Sequence, residues 1–387
     1  MQHNWVNFLH IYQPPWQERE MLMQLYENSY VYTLQTLDAN PQIKITLNVT
    51  GSLTEHLVRE GKIELIDWIR RLVDKGQIEL VGSAMYHPIM PLIPETEMHR
   101  QIKLNEEYNQ HYFKDQWRSA EAKHGGRGFF LPEVAYSEAA ARAVEAAGFA
   151  WIVIDEVAFR DLEKLDWTNQ YQLQNSKLKF FIRRQLPTEE TYLHVSSFAE
   201  QYLLTVSDGE IYKRTIPSYD KGSQNWDKLA QLDRVNYLTA GEYFQQLAAD
   251  QADIIETSPK NTSWRTTEAE EASGSVFHNW LTPGDPIHKE LWDLVIDIGD
   301  LIKQYPQDEH MQYVREGYDK ALSSCTWWWV DGRDLGYSPS EVVKGLNVII
   351  NTVRTFRRVT QLQRLEFEKR YSDLVYLIWE RHWQDYK

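Results

Sequence analysis

A glutamate and an aspartate each stand where an apolar run breaks off. One run reads Gly128-Phe129-Phe130-Leu131-Pro132-Glu133, the other Tyr202-Leu203-Leu204-Thr205-Val206-Ser207-Asp208-Gly209-Glu210. Short apolar runs bounded by turn residues read as buried strands. Buried parallel strands place the side chains at their C-terminal ends around one active site. Two carboxylates facing one pocket are the machinery of glycoside hydrolysis. Two imidazoles join the set, because an earlier run ends at His10 and another leads through Gly82-Ser83-Ala84-Met85-Tyr86 to His87. Each of the four has a plainer reading when taken singly. A histidine beside an apolar run is more often structural, and an Asp-Gly pair more often makes a turn or a helix cap. Pro132 favours the chemical reading of Glu133, since proline fixes its own φ and forces the chain to turn there. Asp155-Glu156 also closes a run, and is read as a cap or as support for the site.

The elements that would position these residues alternate strand and helix. Strands are expected at Trp5–His10, Gln42–Asn48, Gln77–Gly82, Gly128–Leu131, Phe149–Ile154 and Gln201–Ser207, with one more at Asp253–Glu256 and a small hairpin at 171–173 and 179–182. Helices are expected over about 18–40, from Ser52 with Glu55 in capping-box spacing, and over 63–75, 96–113 and 137–147. The alternation predicts an α/β fold with a parallel sheet and crossover helices. The strand count favours a closed (β/α)7-type barrel over an open doubly wound sheet. After about residue 285 strand signals vanish, and helical periods cover 288–304, 308–323, 338–356 and 359–384, with Trp327-Trp328-Trp329 between two of them. The expected organisation is therefore a catalytic barrel at 1–285 and a helical region at 286–387 packed on it.

Composition narrows the function. The 387 residues carry 41 basic and 56 acidic side chains, a net charge of −15, which repels a phosphate backbone and argues against nucleic acid. A neutral substrate is not repelled. No apolar stretch approaches the roughly 18–20 residues of a spanning helix, so no membrane partner is expected. The start of the chain shows no basic region followed by an apolar one, so a cytoplasmic location is expected. Cys325 is the single cysteine, which rules out an internal disulfide and a cysteine-built zinc site. No glycine-rich phosphate turn follows a strand, and no cofactor or metal is expected. Any one of the 15 Trp and 22 Tyr reads first as core; several of them together read as groove lining, since flat aromatic faces with a polar tip suit sugar rings.

These segments together resemble glycoside hydrolase family 57, the retaining enzymes that act on α-glucans. The family's His-x-His-Gln-Pro motif is matched by His10-Ile11-Tyr12-Gln13-Pro14, with Tyr12 in place of the second histidine. Its second region is matched by Gly76–Gly82 running on to Tyr86-His87-Pro88. The nucleophile motif is matched by Phe130-Leu131-Pro132-Glu133, with Phe130 in place of the usual tryptophan. The acid/base motif is matched by Asp208-Gly209-Glu210, followed by Ile211-Tyr212-Lys213, which lacks the usual glycine. Ser323–Trp328 loosely matches a late motif whose acid is absent.

The resemblance covers residues 5–285 in order and spacing. It implies a (β/α)7 barrel, Glu133 as nucleophile and Asp208 as acid/base. It also implies His10, Tyr12, Gln13, His87, Phe130, Trp327 and Trp328 as substrate contacts, and an α-glucan or maltooligosaccharide as substrate. Amylase, 4-α-glucanotransferase and branching activities all fit. Two rivals remain: a metal-dependent carbohydrate hydrolase or deacetylase, which would need an acid beside His10, and a glucan-binding protein that has lost catalysis.

Overall fold

The computed structural model describes residues 3–159, 165–185, 201–211, 226, 235–332 and 336–385. Lys213 and its neighbours lie outside these residues. The described chain divides into two compact units. The first comprises Met1–Gln13, Gln17–Met85 and Pro94–Trp264; the second comprises Pro14–Trp16, Tyr86–Ile93 and Arg265–Lys387.

The first unit is the (β/α)7 barrel. Among the described residues its ten strands are β1 (His3–Ile11), β2 (Ile45–Val49), β3 (Ile78–Val81), β4 (Gly128–Phe129), β5 (Trp151–Asp155), β6 (Gln170–Leu173), β7 (Lys179–Arg183), β8 (Tyr202–Asp208), β9 (Val235–Leu238) and β10 (Ile254–Thr257). Parallel pairing runs β3-β2-β1-β8 on one arc and β4-β5-β7 on the other. Two contacts close the ring. Gly82 bridges Phe129 in parallel, through Gly82 N to Gly128 O at 2.9 Å and Phe130 N to Gly82 O at 2.8 Å. Across the other gap Arg184 N donates to Leu204 O at 3.2 Å. β6 lies outside the ring as the antiparallel hairpin partner of β7, and β10 extends it.

Side chains alternate along each strand, so β1 serves two layers. Trp5, Leu9 and Ile11 pack with Leu53, Leu65, Ile69 and Leu72 of the surrounding helices. Phe8 points the other way and meets Phe130, Trp151 and Phe181 inside the ring. His10 follows Phe8 on that inner face, at the C-terminal end.

Three local expectations need correction. The helix at Gly51–Arg59 is capped by Thr50, whose hydroxyl accepts from Leu53 N at 3.3 Å, and not by Ser52. The Ser52 hydroxyl is spent on the Gln13 carbonyl at 2.6 Å. The helix over 18–40 contains a π turn at Tyr26–Tyr30. β9 gave no strand signal, because it is only four residues long and Asn236 interrupts its apolar run; it pairs with β1 at His3–Val6, beside β2's place on the same edge.

The second unit is helical: Pro286–Gln304, Met311–Ala321, Cys325–Asp331, Pro339–Thr355 and Gln361–Asp385. Its first long helix starts cleanly, with Asp285 accepting from Ile287 N and His288 N and proline at the first position. The tryptophan triplet falls between two longer helices, as expected, and itself forms a short one, Cys325–Asp331. Trp327 is fully buried there and stacks on Trp292 at 4.1 Å. No described helix is long and apolar enough to cross a membrane.

Candidate active site

His10 and Asp208 are register partners across the parallel pair β1 and β8, so their side chains leave neighbouring strands at the same level. His10 is almost fully buried, and its Nδ1 lies 2.7 Å from Asn48 Oδ1. The Asn48 amide nitrogen donates to the Gly82 and Val81 carbonyls at 3.3 and 3.4 Å. That orients its oxygen as the acceptor, so His10 carries its proton on Nδ1. Burial pulls the imidazole down to about 4 against the pull of Asn48, and His10 is neutral through the physiological range.

Phe130 stacks on this imidazole, with centroids 4.3 Å apart and planes 14° from parallel, and Tyr12 lies near-parallel to it at 6.1 Å. Two residues beyond Phe130 the chain enters a tight turn, Pro132–Val134. Glu133 takes a left-handed backbone there, φ 59°, and Val134 follows at φ 50°. Such conformations persist in non-glycine residues only where the surroundings hold them. Here Tyr136 and Thr262 bridge antiparallel, and Trp264 N donates to the Glu133 carbonyl at 3.1 Å. The Trp264 indole Nε1 donates to Glu133 Oε2 at 2.7 Å. Trp264 also stands edge-on to both Phe130 and His10. Glu133 and Asp208 are thus both tied to His10, one through Phe130 and Trp264 and the other through strand register.

Behind Trp264 lies a charged support. The Arg183 guanidinium sits 5.7 Å from the Trp264 ring centroid. Its Nη1 donates to Asp155 Oδ2 at 2.6 Å and its Nε to the Val206 carbonyl at 3.0 Å. Asp155 is fully buried; burial raises its pKa, and Arg183 works against that shift. Asp155, read as a cap or as support, accepts from Val157 N at 3.1 Å through Oδ1 as a cap would, and holds Arg183 through Oδ2.

The turn after Asp208 is packed tightly. A Cβ on Gly209 would come within 2.4 Å of the Ile11 side chain, so glycine is required for β1 to approach. The π turn of the first helix presents two residues to this turn. Ser29 Oγ donates to the Gly209 carbonyl at 3.0 Å and the Tyr30 hydroxyl to Glu210 Oε1 at 2.6 Å. Gln13 Nε2 donates to the same Glu210 oxygen at 3.3 Å and to Tyr30 at 3.1 Å, and Tyr12 N donates to Glu210 at 3.3 Å. Gln13 is buried in this network. Burial, with the charge of Asp208 second, raises Glu210 to about 7.

The barrel unit therefore brings together His10, Tyr12, Gln13, Phe130, Glu133 and Asp208. His87 belongs to the second unit, where its Nδ1 lies 3.0 Å from Ser324 Oγ. Trp327 and Trp328 also belong to that unit; Trp327 has no exposed surface, and Trp328 lies under the Arg265 guanidinium. Trp264, Arg183, Tyr30 and the role of Glu210 escaped the sequence reading. Arg183 directly follows the expected hairpin segment 179–182 and so carried a weak signal; Trp264 carried none. Among the described residues, no three His, Cys, Asp or Glu side chains cluster as metal ligands would.

Comparison with known proteins adds lineage to this geometry. The model of glycosyl hydrolase family 57 matches residues 2–259. An alpha-amylase of Pyrococcus horikoshii is 26% identical over 268 residues, 63% of this chain and 40% of that protein. A 4-alpha-glucanotransferase of Thermococcus kodakarensis is 25% identical over 63% of this chain and 39% of its own length. The chain thus spans about two-fifths of the curated relatives it matches. Among solved structures, the GH57-type branching enzyme of P. horikoshii superposes with a TM-score of 0.65 at 14% identity, over 96% of this chain and 94% of that one. The alpha-amylase AmyC of Thermotoga maritima superposes with a TM-score of 0.63 at 13% identity, over 96% and 97%.

Proposed function

The chain belongs to glycosyl hydrolase family 57, and from that premise we propose that it cleaves or transfers α-glucosidic bonds with retention of configuration. Glu133 is the nucleophile and Asp208 the acid/base. The observation that carries the reading is the joint attachment of both acids to the buried, neutral His10 at the C-terminal end of the barrel. The names of the relatives, amylase and glucanotransferase, favour an α-glucan substrate.

In the first step a Glu133 oxygen attacks the anomeric carbon while Asp208 gives its proton to the departing oxygen. In the second, Asp208 takes a proton from the acceptor, which displaces Glu133. Retaining enzymes of this type hold their carboxyls about 5–5.5 Å apart. His10 and Gln13 supply hydrogen-bonding groups for sugar hydroxyls, and Phe130 and Tyr12 the aromatic wall. A neutral His10 adds no second positive charge of its own as positive charge develops on the sugar in the transition state. Water as acceptor gives hydrolysis, and a sugar hydroxyl gives transfer or branching.

The test is incubation with maltooligosaccharides and amylose, reading product sizes, branch points and anomeric configuration. Glu133→Gln abolishes turnover while the fold is retained. A variant keeping more than about a tenth of the activity overturns the assignment, because losing a covalent nucleophile costs several orders of magnitude.

A further inference from the structure

We propose that Trp264 and Arg183 act as a pair of positioning residues that hold the Glu133 carboxylate in its reactive orientation and favour its charged form. The inference rests on the assignment of Glu133 as nucleophile. Trp264 grips Glu133 at two points, its backbone N–H on the Glu133 carbonyl at 3.1 Å and its indole N–H on Oε2 at 2.7 Å. The first contact secures a left-handed residue that the chain would otherwise abandon, and the second fixes the carboxylate plane. A hydrogen bond donated to a carboxylate favours its ionised state. The indole cannot titrate in the working range, so this donor is present at every pH at which the enzyme operates.

Trp264 is itself held in place by Arg183. The guanidinium lies over its ring at 5.7 Å, a distance at which a cation is attracted to an aromatic face. Arg183 cannot drift, because buried Asp155 takes Nη1 and the Val206 carbonyl takes Nε. Val206 lies two residues before Asp208 on β8. One planar guanidinium therefore references both acids: Asp208 through its own strand, and Glu133 through the indole. Lysine could not reproduce this, since it lacks the fork that meets two acceptors at once.

The experiment compares the pH dependence of kcat and of kcat/KM on a maltooligosaccharide for the wild type, Trp264→Phe, Arg183→Lys and the double variant. Trp264→Phe keeps an aromatic ring and removes the indole donor together with the fused second ring. The expected result is a fall in kcat of about 10–100-fold and an acidic limb of the profile moved up by roughly one pH unit, the scale of one hydrogen bond to a charged group. KM changes less than about threefold, because the lost interaction acts on the reacting carboxylate rather than on substrate affinity. Arg183→Lys moves both readouts the same way by less. The double variant loses less than the sum of the two single losses, because Arg183 acts on Glu133 through the indole, and any excess over Trp264→Phe reflects its separate hold on the Val206 carbonyl of β8. An unchanged acidic limb with kcat within about twofold of wild type overturns the proposal. If Glu133→Gln is inactive in the same assays, the nucleophile assignment survives that failure; if it is active, that assignment falls first. Far-UV circular dichroism confirms folding, and if Trp264→Phe does not fold, the acidic limb of Arg183→Lys decides alone.

Discussion

The rings of His10 and Phe130 lie face to face, 4.3 Å between centroids, and join the end of β1 to the residue that follows β4. This stack connects the two halves of the site. β1 carries Asp208 beside it through strand register, and the segment after β4 runs on to Glu133. Neither strand is adjacent to the other in the ring: β2 and β3 lie between them. The stack therefore spans the barrel interior.

Removing that ring should damage both fold and chemistry. Phe130 has no exposed surface and also stacks on Phe8 at 5.7 Å. Phe130→Ala is expected to cost about 3–5 kcal/mol of stability, through lost burial and a cavity. Activity measured well below the new melting temperature should fall as well, because the His10 ring and the Glu133 turn lose their common support. Thermal denaturation with residual-activity measurement at low temperature checks both parts. A variant with an unchanged melting temperature refutes this reading of the stack.

Gly209→Ala is expected to injure the other half. The added methyl meets the Ile11 side chain at 2.4 Å and the His10 carbonyl at 3.3 Å, both on β1. Either the Asp208–Glu210 turn or the end of β1 must move, at about 1–3 kcal/mol for overpacking a buried site. Urea unfolding reports the stability loss. Turnover should fall more than stability alone explains, because the displaced segment carries Asp208, the proposed acid/base.

Six of the ring's seven strands were legible as short apolar runs, and His10, Glu133 and Asp208 mark three of their ends; the seventh expected barrel strand, β10, lies outside the ring, and β7 of the expected hairpin takes its place. The antiparallel hairpin of β6 and β7 could be expected for the same reason. β9 could not, since half-exposed Val235 and Asn236 break the apolar signal. Thr50 displaced Ser52 as helix cap because a backbone carbonyl, that of Gln13, claimed the serine hydroxyl, and such long-range contacts leave no local trace. Trp264 was hidden for the same reason. It lies 131 positions from Glu133, and the Tyr136–Thr262 bridge and the Trp264 N–H on the Glu133 carbonyl bring the two segments together.

The second unit has its own aromatic centre. Trp327 stacks on Trp292, and its carbonyl accepts from the His288 imidazole at 3.0 Å. Trp327→Ala is expected to lower stability by about 3–5 kcal/mol as a large buried ring is lost. The acidic limb of the activity profile should not move at temperatures where the variant is folded. Differential scanning calorimetry and a pH profile at low temperature check the two statements.

The pH dependence of stability should reveal two buried groups with opposite signs. His10 sits at about 4 in the folded protein against an ordinary 6.5. Between those values the unfolded chain binds a proton that the folded one does not, so the His10 contribution is fully present above pH 6.5 and is lost as pH falls towards 4. Glu210 sits at about 7 against an ordinary 4.5. Between those values the folded protein holds the extra proton, so its contribution is fully present below pH 4.5 and is lost as pH rises towards 7. Each slope is about 1.4 kcal/mol per pH unit, and in the shared window they cancel. Removing one group should expose the other. Relative to wild type, His10→Gln should become less stable with each step from pH 5 to pH 6, and Glu210→Gln should become more stable over the same step. Glutamine at position 210 keeps a carbonyl oxygen for Tyr30, so the comparison isolates the titrating proton. Urea unfolding of the three proteins at pH 5.0, 5.5 and 6.0 measures the slopes, and two variants with slopes of the same sign would contradict the assigned burial of one group or the other.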